Sequence, residues 1–205
     1  MFKINDIHTH HDYNDTNISY LKNLRTADIL SGNYLSELKI AELNHNKYIS
    51  VGIHPWDLSD YKEIIEDKNF FNNKLLAPII QIIKHPKCLA IGECGLDKCI
   101  NVDIDAQMTI FKKQILLSIE YNKSLIIHAV KSFNQIIELH KEYNPTQEWI
   151  IHGFRSNSVV AKQLTNHGIK LSFNIKAKND TKLGEIIKML GENNIYFETD
   201  DDDVI

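Results

Sequence analysis

Residues 88–128 read CLAIGECGLDKCINVDIDAQMTIFKKQILLSIEYNKSLIIH. The stretch opens on a short apolar run, 88–91, and closes on another, 124–127. Both are rich in Ile and Leu and short enough to be strands buried on both faces. Between them, 106–121 places Met108, Phe111, Ile115 and Ile119 on roughly one helical face, with Lys112 and Lys113 off it. Strand, amphipathic helix, strand is a βαβ unit, and it implies two parallel strands.

Working outward, the same unit recurs. Apolar runs fall at 2–7, 48–53, 148–151, 169–173 and 195–197, and a weaker run at 18–24. Helical patterns fall at 34–43, 74–84, 132–142, 156–166 and 181–190. Ser156 and Asn179 or Asp180 suit helix N-caps, and Gly168 and Gly191 stand where helices commonly end. Counting the weak run gives eight strands, and 205 residues sit at the lower size limit of a (β/α)₈ barrel. Seven strands would instead fit an open α/β sheet, and periodicity alone does not separate the two. After the last run only Asp201, Asp202, Asp203, Val204 and Ile205 remain, so a compact barrel without a final helix is expected. No Pro- or Gly/Ser-rich linker breaks the chain, and residues 1–205 are expected to form a single domain.

Composition narrows the function. Lys and Arg number 23 against 27 Asp and Glu, a net charge of −4. No global positive field exists to hold a polyanion, so phosphate binding would have to be local, and bound metal could supply it. No run reaches the length of a membrane span, and the first residues lack a signal peptide's apolar stretch. Cys88, Cys94 and Cys99 are odd in number and form no C-x-x-C pair, so reduced thiols in a cytoplasmic protein are expected. No membrane association and no obligate protein partner is implied.

The chemistry lies at the strand ends. His8-Thr9-His10 closes the first run, Gly92-Glu93 the run at 88–91, His128 and His152 the runs at 124–127 and 148–151, and Glu198-Thr199-Asp200 the last. In a parallel barrel the C-terminal strand ends share one mouth, where active sites are built. His8 and His10, two apart, project to the same side of a strand. Imidazole mixed with carboxylate holds divalent cations with positions left open. Six ligands exceed what one catalytic ion takes, and a pair sharing a carboxylate fits the count. Any one of these residues alone would read as an ordinary hydrogen-bonded side chain. The inference rests on all six falling at one topological place, whereas His11, His45, His85, His140 and His167 fall in loops or helices.

These segments resemble the TatD family of metal-dependent deoxyribonucleases, within the amidohydrolase-like metallohydrolases. The matching pieces are Asp6-Ile7-His8-Thr9-His10, Val51-Gly52-Ile53-His54-Pro55, the octet from Ala90 to Asp97 (AIGECGLD), Leu125-Ile126-Ile127-His128, Ile150-Ile151-His152-Gly153-Phe154 and Phe197-Glu198-Thr199-Asp200. The resemblance spans nearly the whole chain and implies a (β/α)₈ barrel that cleaves phosphodiester bonds in DNA. It implies two divalent ions (Mg, Mn or Zn), with His8, His10 and Asp200 on one, His128 and His152 on the other, and Glu93 between them. Asp200 would also orient the attacking water or take its proton. His54 would either touch substrate phosphate or be a histidine fixed by Pro55 in a tight loop. After His128 the family often carries a small residue and then Arg, where this chain has Ala129-Val130-Lys131. Lys131 and Arg155 are therefore the basic candidates for substrate, although Lys lacks the bidentate fork. Three further aspartates after Asp200 also depart from the family's pattern; a solvated tail is the simplest reading of them. Trp56 either packs in the core or stacks a base.

Two other readings stay open on sequence. The same ligands could serve hydrolysis of small esters, amides or phosphate esters. The fold could also persist as a metal-binding module without turnover.

Overall fold

A computed structural model describes residues 4–67 and 69–201. Eight parallel strands follow one another in chain order: β1 (Asp6–Thr9), β2 (Tyr20–Leu24), β3 (Lys47–Val51), β4 (Cys88–Asp97), β5 (Ser124–Val130), β6 (Trp149–Ile151), β7 (Lys170–Asn174) and β8 (Ile195–Glu198). The barrel closes where Thr9 bridges Asp200 in parallel: Asp200 N–H donates to the His8 carbonyl at 3.0 Å and His10 N–H to the Asp200 carbonyl at 3.3 Å. Asp6 stitches the same seam, its carboxylate accepting from Thr199 N–H (3.2 Å), Thr199 Oγ1 (2.7 Å) and Tyr13 OH (2.5 Å). The open-sheet alternative is thereby excluded.

Strand alternation divides the barrel interior into two levels. Leu21, Ile126 and Ile150 belong to a small buried apolar cluster on the floor, with Ile7 and Ala90, and Tyr196 packs against it. Two residues further along each strand, on the same side, stand Asn23, His128, His152 and Glu198. Odd-numbered neighbours such as Leu125, Ile127, Trp149, Ile151, Leu171 and Phe173 face outward into the larger core beneath the helices. An interior that is apolar below and polar above thus follows from a period of two.

Two strands break that period. The register of β1 on β2 shifts between Asp6 and Thr9, and that of β4 on β5 between Ile91 and Cys94. Irregularities of this kind re-aim side chains. Here they bring Ile7 to the floor and its neighbour His8 to the upper level, and likewise Ala90 and Glu93. The irregular β4 also runs against its neighbour: a Cβ on Gly95 (φ 141°) would lie 2.1 Å from the His128 carbonyl oxygen, so only glycine fits.

The helices are α1 (Thr26–Ser31), α2 (Tyr34–Leu43), α3 (Asp57–Asp60), α4 (Glu63–Glu66), α5 (Ala77–Lys84, entered through a π-helical turn at Phe71–Leu76), α6 (Ile104–Tyr121), α7 (Phe133–Tyr143), α8 (Ser158–Asn166) and α9 (Thr181–Leu190). Several sequence expectations are corrected. The first strand begins at Asp6; residues 2 and 3 of the expected run lie outside the described residues. The weak run is a strand, but only from Tyr20. Asn157, not Ser156, caps α8, because its carboxamide reaches the N–H groups of Val159 and Val160 at 3.0 Å. Gly168 stands one residue beyond that helix's last cap, whereas Asp180 and Gly191 cap α9 as expected. Ile119 is 37% exposed; the buried face of α6 instead takes Gln107 and Gln114 beside Ile110, Phe111 and Ile115. β8 is the last element among the described residues, with no helix after it; residues 202–205 of the expected tail lie outside them. No helix among the described residues is long and apolar enough to cross a membrane.

Candidate metal centre

One carboxylate organises the barrel mouth. Glu93 is 6% exposed, and five histidines from four other strand ends converge on it. Its Oε2 faces the first strand, 3.3 Å from His8 Nε2 and 3.9 Å from His10 Nε2. Its Oε1 faces the opposite side, 3.0 Å from His54 Nε2, 3.0 Å from His128 Nδ1 and 2.6 Å from His152 Nε2. Asp200 Oδ1 completes the first set at 3.4 Å from His8 and 3.8 Å from His10. Ligand atoms of His8, His10 and Asp200 lie within 4.8 Å of one another, as do those of His54, Glu93 and His128, and those of His8, Glu93 and His152. The two oxygens of Glu93 thus face different donors, with His8 and His152 close enough to meet across it, ring centroids 4.6 Å apart.

The electrostatics follow from burial and proximity. Burial works against the Glu93 carboxylate, yet His152, His128 and His54 hold it well below the usual carboxylate range. Burial would discharge His8, but Asp200 and Glu93 beside it raise the imidazolium to about 9. His10 falls to about 4 through burial, with His8 and Arg25 adding repulsion. Asp200, resisted by burial, is lowered by His8 and His152.

The donors also fit a cation on hydrogen-bond grounds. Neither ring nitrogen of His8 makes an aligned hydrogen bond, nor does Nδ1 of His152, although all three atoms are buried. Buried polar groups left without partners are costly. A divalent ion among these nitrogens and carboxylate oxygens would resolve the cost, and the mixture suits Zn, Mn or Mg.

A supporting layer holds the donors. Asn23 Oδ1 accepts from Glu93 N–H at 2.6 Å and from Ser50 Oγ at 3.2 Å. Asp97 Oδ2 lies 3.0 Å from His128 Nε2 and accepts from Trp56 Nε1 at 2.8 Å. Glu198, fully buried, accepts from Gly153 N–H (2.5 Å) and Ser172 Oγ (2.6 Å) and stands 3.7 Å from His152 Nδ1. From α6, Gln114 pairs with both the N–H and carbonyl of Ile53 (2.7 and 3.1 Å), and Gln107 with those of Asp97 (2.8 and 2.9 Å).

The structure thus gathers His8, His10, Glu93, His128, His152 and Asp200 at one place, and adds His54 among the donors themselves. Lys131 and Arg155 are exposed and do not line the mouth cavity of about 350 Å³. Arg25, at the end of β2, does line it. Trp56 is 55% exposed at the rim, while Trp149 is fully buried. Sequence reasoning missed Asn23, Asp97 and Glu198. Their signal was position: each stands at or near a strand's C-terminal end.

Comparison with known proteins agrees with this geometry. Residues 5–203 match the family described as TatD related DNase. A protein from Buchnera aphidicola subsp. Baizongia pistaciae, named an uncharacterized metal-dependent hydrolase, is 34% identical over 173 residues, 82% of this chain and 61% of that protein. The Escherichia coli 3'-5' ssDNA/RNA exonuclease TatD is 22% identical over 181 residues, covering 84% of this chain and 66% of the relative. The crystal structure of the E. coli TatD homolog YjjV superimposes with a TM-score of 0.75 at 20% identity, over 95% of this chain and 77% of that one. The chain spans about three-fifths of the length of the first curated relatives it matches, 61% and 58%.

Proposed function

Because the chain belongs to the TatD-related DNase family, we propose that it is a divalent-metal-dependent hydrolase that cleaves phosphodiester bonds in DNA. The observation that carries this reading is the convergence of five imidazoles on the two oxygens of Glu93, with Asp200 beside one set. His8, His10 and Asp200 would hold one ion, His128 and His152 the other with His54 beside them, and Glu93 would touch both. Bound divalent ions supply charge neutralisation at phosphate and lower the pKa of water.

The chain's own residues do the rest. Asp200 is the ligand carboxylate most open to the mouth, its side chain 38% exposed. It is therefore placed to take the proton of the attacking water. His54, between Glu93 and the rim, can face a phosphate oxygen once substrate enters. Trp56, exposed above His54 with ring centroids 5.1 Å apart, offers a face on which a base can stack. Asp57, Asp60 and Asp201 also line the mouth, so a polyanion is tolerated there only with the ions in place.

The name of the E. coli relative makes single-stranded DNA and RNA the first substrates to test. End-labelled oligonucleotides should be shortened in Mg²⁺ or Mn²⁺ and left whole in EDTA. Asp200→Asn should lower kcat by about 10²-fold or more with the circular dichroism spectrum unchanged. Intact DNA and RNA under all metals, with turnover of small esters or amides, would move the assignment to a small-molecule hydrolase. No bound metal and no turnover would leave a non-catalytic homologue.

A further inference from the structure

Arg25 carries the one fixed positive charge among the described residues lining the mouth, against Asp57, Asp60, Glu93, Asp200 and Asp201. Its backbone is pinned: Arg25 N–H donates to Asp28 Oδ2 at 3.0 Å, and the next residue's hydroxyl, Thr26 Oγ1, to Asp57 Oδ2 at 2.6 Å. Its side chain is 58% exposed. Nη2 lies 3.2 Å from Asp201 Oδ1, and Nε lies 3.4 Å from His10 Nδ1.

These contacts fix where the guanidinium stands. His10 turns Nε2 toward Glu93 and Asp200 and Nδ1 toward Arg25. The guanidinium therefore lies one imidazole ring away from the carboxylates, on the outer side. The contact to His10, at 3.4 Å, is long for a hydrogen bond. The contact to Asp201 is an ion pair between two largely exposed side chains, 58% and 71%, and such pairs are weak. A phosphate offers the planar fork a better partner than one carboxylate oxygen does.

We propose that Arg25 binds the backbone phosphate next to the one being cleaved, and that Asp201 holds this place in the free protein until substrate displaces it. The proposal rests on the phosphodiesterase reading above and names the part of the substrate that the outer mouth recognises. Lys131 and Arg155, exposed and not among the residues lining the cavity, are left without this role.

The test compares a short single-stranded oligothymidylate, which has several phosphates, with bis-p-nitrophenyl phosphate, which has one. Arg25→Ala should raise KM for the oligonucleotide about tenfold, as loss of a charged hydrogen-bonding group does, with kcat nearly unchanged and KM for the small diester unmoved. Arg25→Lys should recover part of the loss. Asp201→Asn should lower the oligonucleotide KM, most at low salt. Binding is read separately, by anisotropy of labelled oligonucleotide on the Asp200→Asn protein with Mn²⁺. There, adding Arg25→Ala should weaken affinity and reduce the slope of log K against log salt by about 0.7, the value for one single-strand phosphate contact. Unchanged affinity and salt slope would overturn the proposal. So would an equal rise in KM for both substrates, which would put Arg25 on the scissile phosphate instead. If the wild-type protein cleaves neither substrate, the phosphodiesterase reading fails by itself, and the anisotropy still decides whether Arg25 holds phosphate.

Discussion

Glu198 illustrates how much a residue set deep behind the mouth can matter. It is fully buried, yet it is an acid, and its two oxygens are spoken for by Gly153 N–H and Ser172 Oγ. Those bonds hold it in place behind His152, its carboxylate 3.7 Å from Nδ1 while Nε2 points at Glu93. Glu198→Ala would strand the Gly153 amide and Ser172 hydroxyl and leave His152 free to turn. Divalent affinity should fall about 10–100-fold, the usual cost of removing such a support. Glu198→Gln, which retains acceptor capacity, should fall less. Titration with Mn²⁺ followed by electron paramagnetic resonance reads both; equal affinity in all three proteins would remove Glu198 from the metal site. At this scale the donors were legible because each closes an apolar run, a mark visible in one dimension. Asn23 and Asp97 also stand near strand ends, but position alone does not tell what they do: they act by bonding a backbone amide or an imidazole that only the fold brings near.

At the scale of elements, the informative case is α6. Its sequence predicts an apolar stripe through Met108, Phe111, Ile115 and Ile119, and two of those four, Phe111 and Ile115, are fully buried. The helix is rotated from that stripe because Gln107 and Gln114, one about two turns from the other, find unpaired backbone groups at the ends of β4 and β3. A strand that leaves the barrel has N–H and carbonyl groups with no neighbour, and a carboxamide satisfies one of each. Hydrophobic periodicity cannot see this, since it scores glutamine as solvent-facing. The register shifts in β1 and β4 were hidden for a related reason: a displaced residue changes a strand's aim without changing its composition. What was legible was each apolar run and the donor that closes it, not which of its residues face the barrel interior. Gln114→Leu keeps the volume and removes the amide. It should destabilise the protein by about 2–3 kcal/mol, because the N–H and carbonyl of Ile53 are then buried unpaired. It should also weaken whatever His54 holds, being next to Ile53. Urea unfolding measures the first effect; a midpoint within error of wild type would show that Gln114 is passive filling.

Over the whole molecule, the barrel has two ends with different cements. The floor is held by Ile7, Leu21, Ala90, Ile126 and Ile150, an apolar cluster with Ile4, Tyr48, Leu89 and Tyr196 packed against it. The mouth is lined by donors from six of the eight strands, β1, β3, β4, β5, β6 and β8, and it includes the seam at which the first and last strands meet. That seam is short: one bridge, with His8, His10 and Asp200 at its edge. A cation held by those three side chains would tie β1 to β8 directly, and one shared with Glu93 would tie the seam to β4. Metal binding should therefore raise global stability as well as enable catalysis. A ligand present at a hundredfold its dissociation constant contributes about 2.7 kcal/mol, which for a chain of this size corresponds to about 5–10 °C in melting temperature. The expected outcome is a Tm lower by that amount in EDTA than in excess Mn²⁺. The difference should shrink sharply in His8→Ala, which lacks a seam ligand, and persist in Arg25→Ala, which lacks none. Equal melting temperatures with and without metal in the wild-type protein would mean that the ring of histidines around Glu93 closes the barrel on its own.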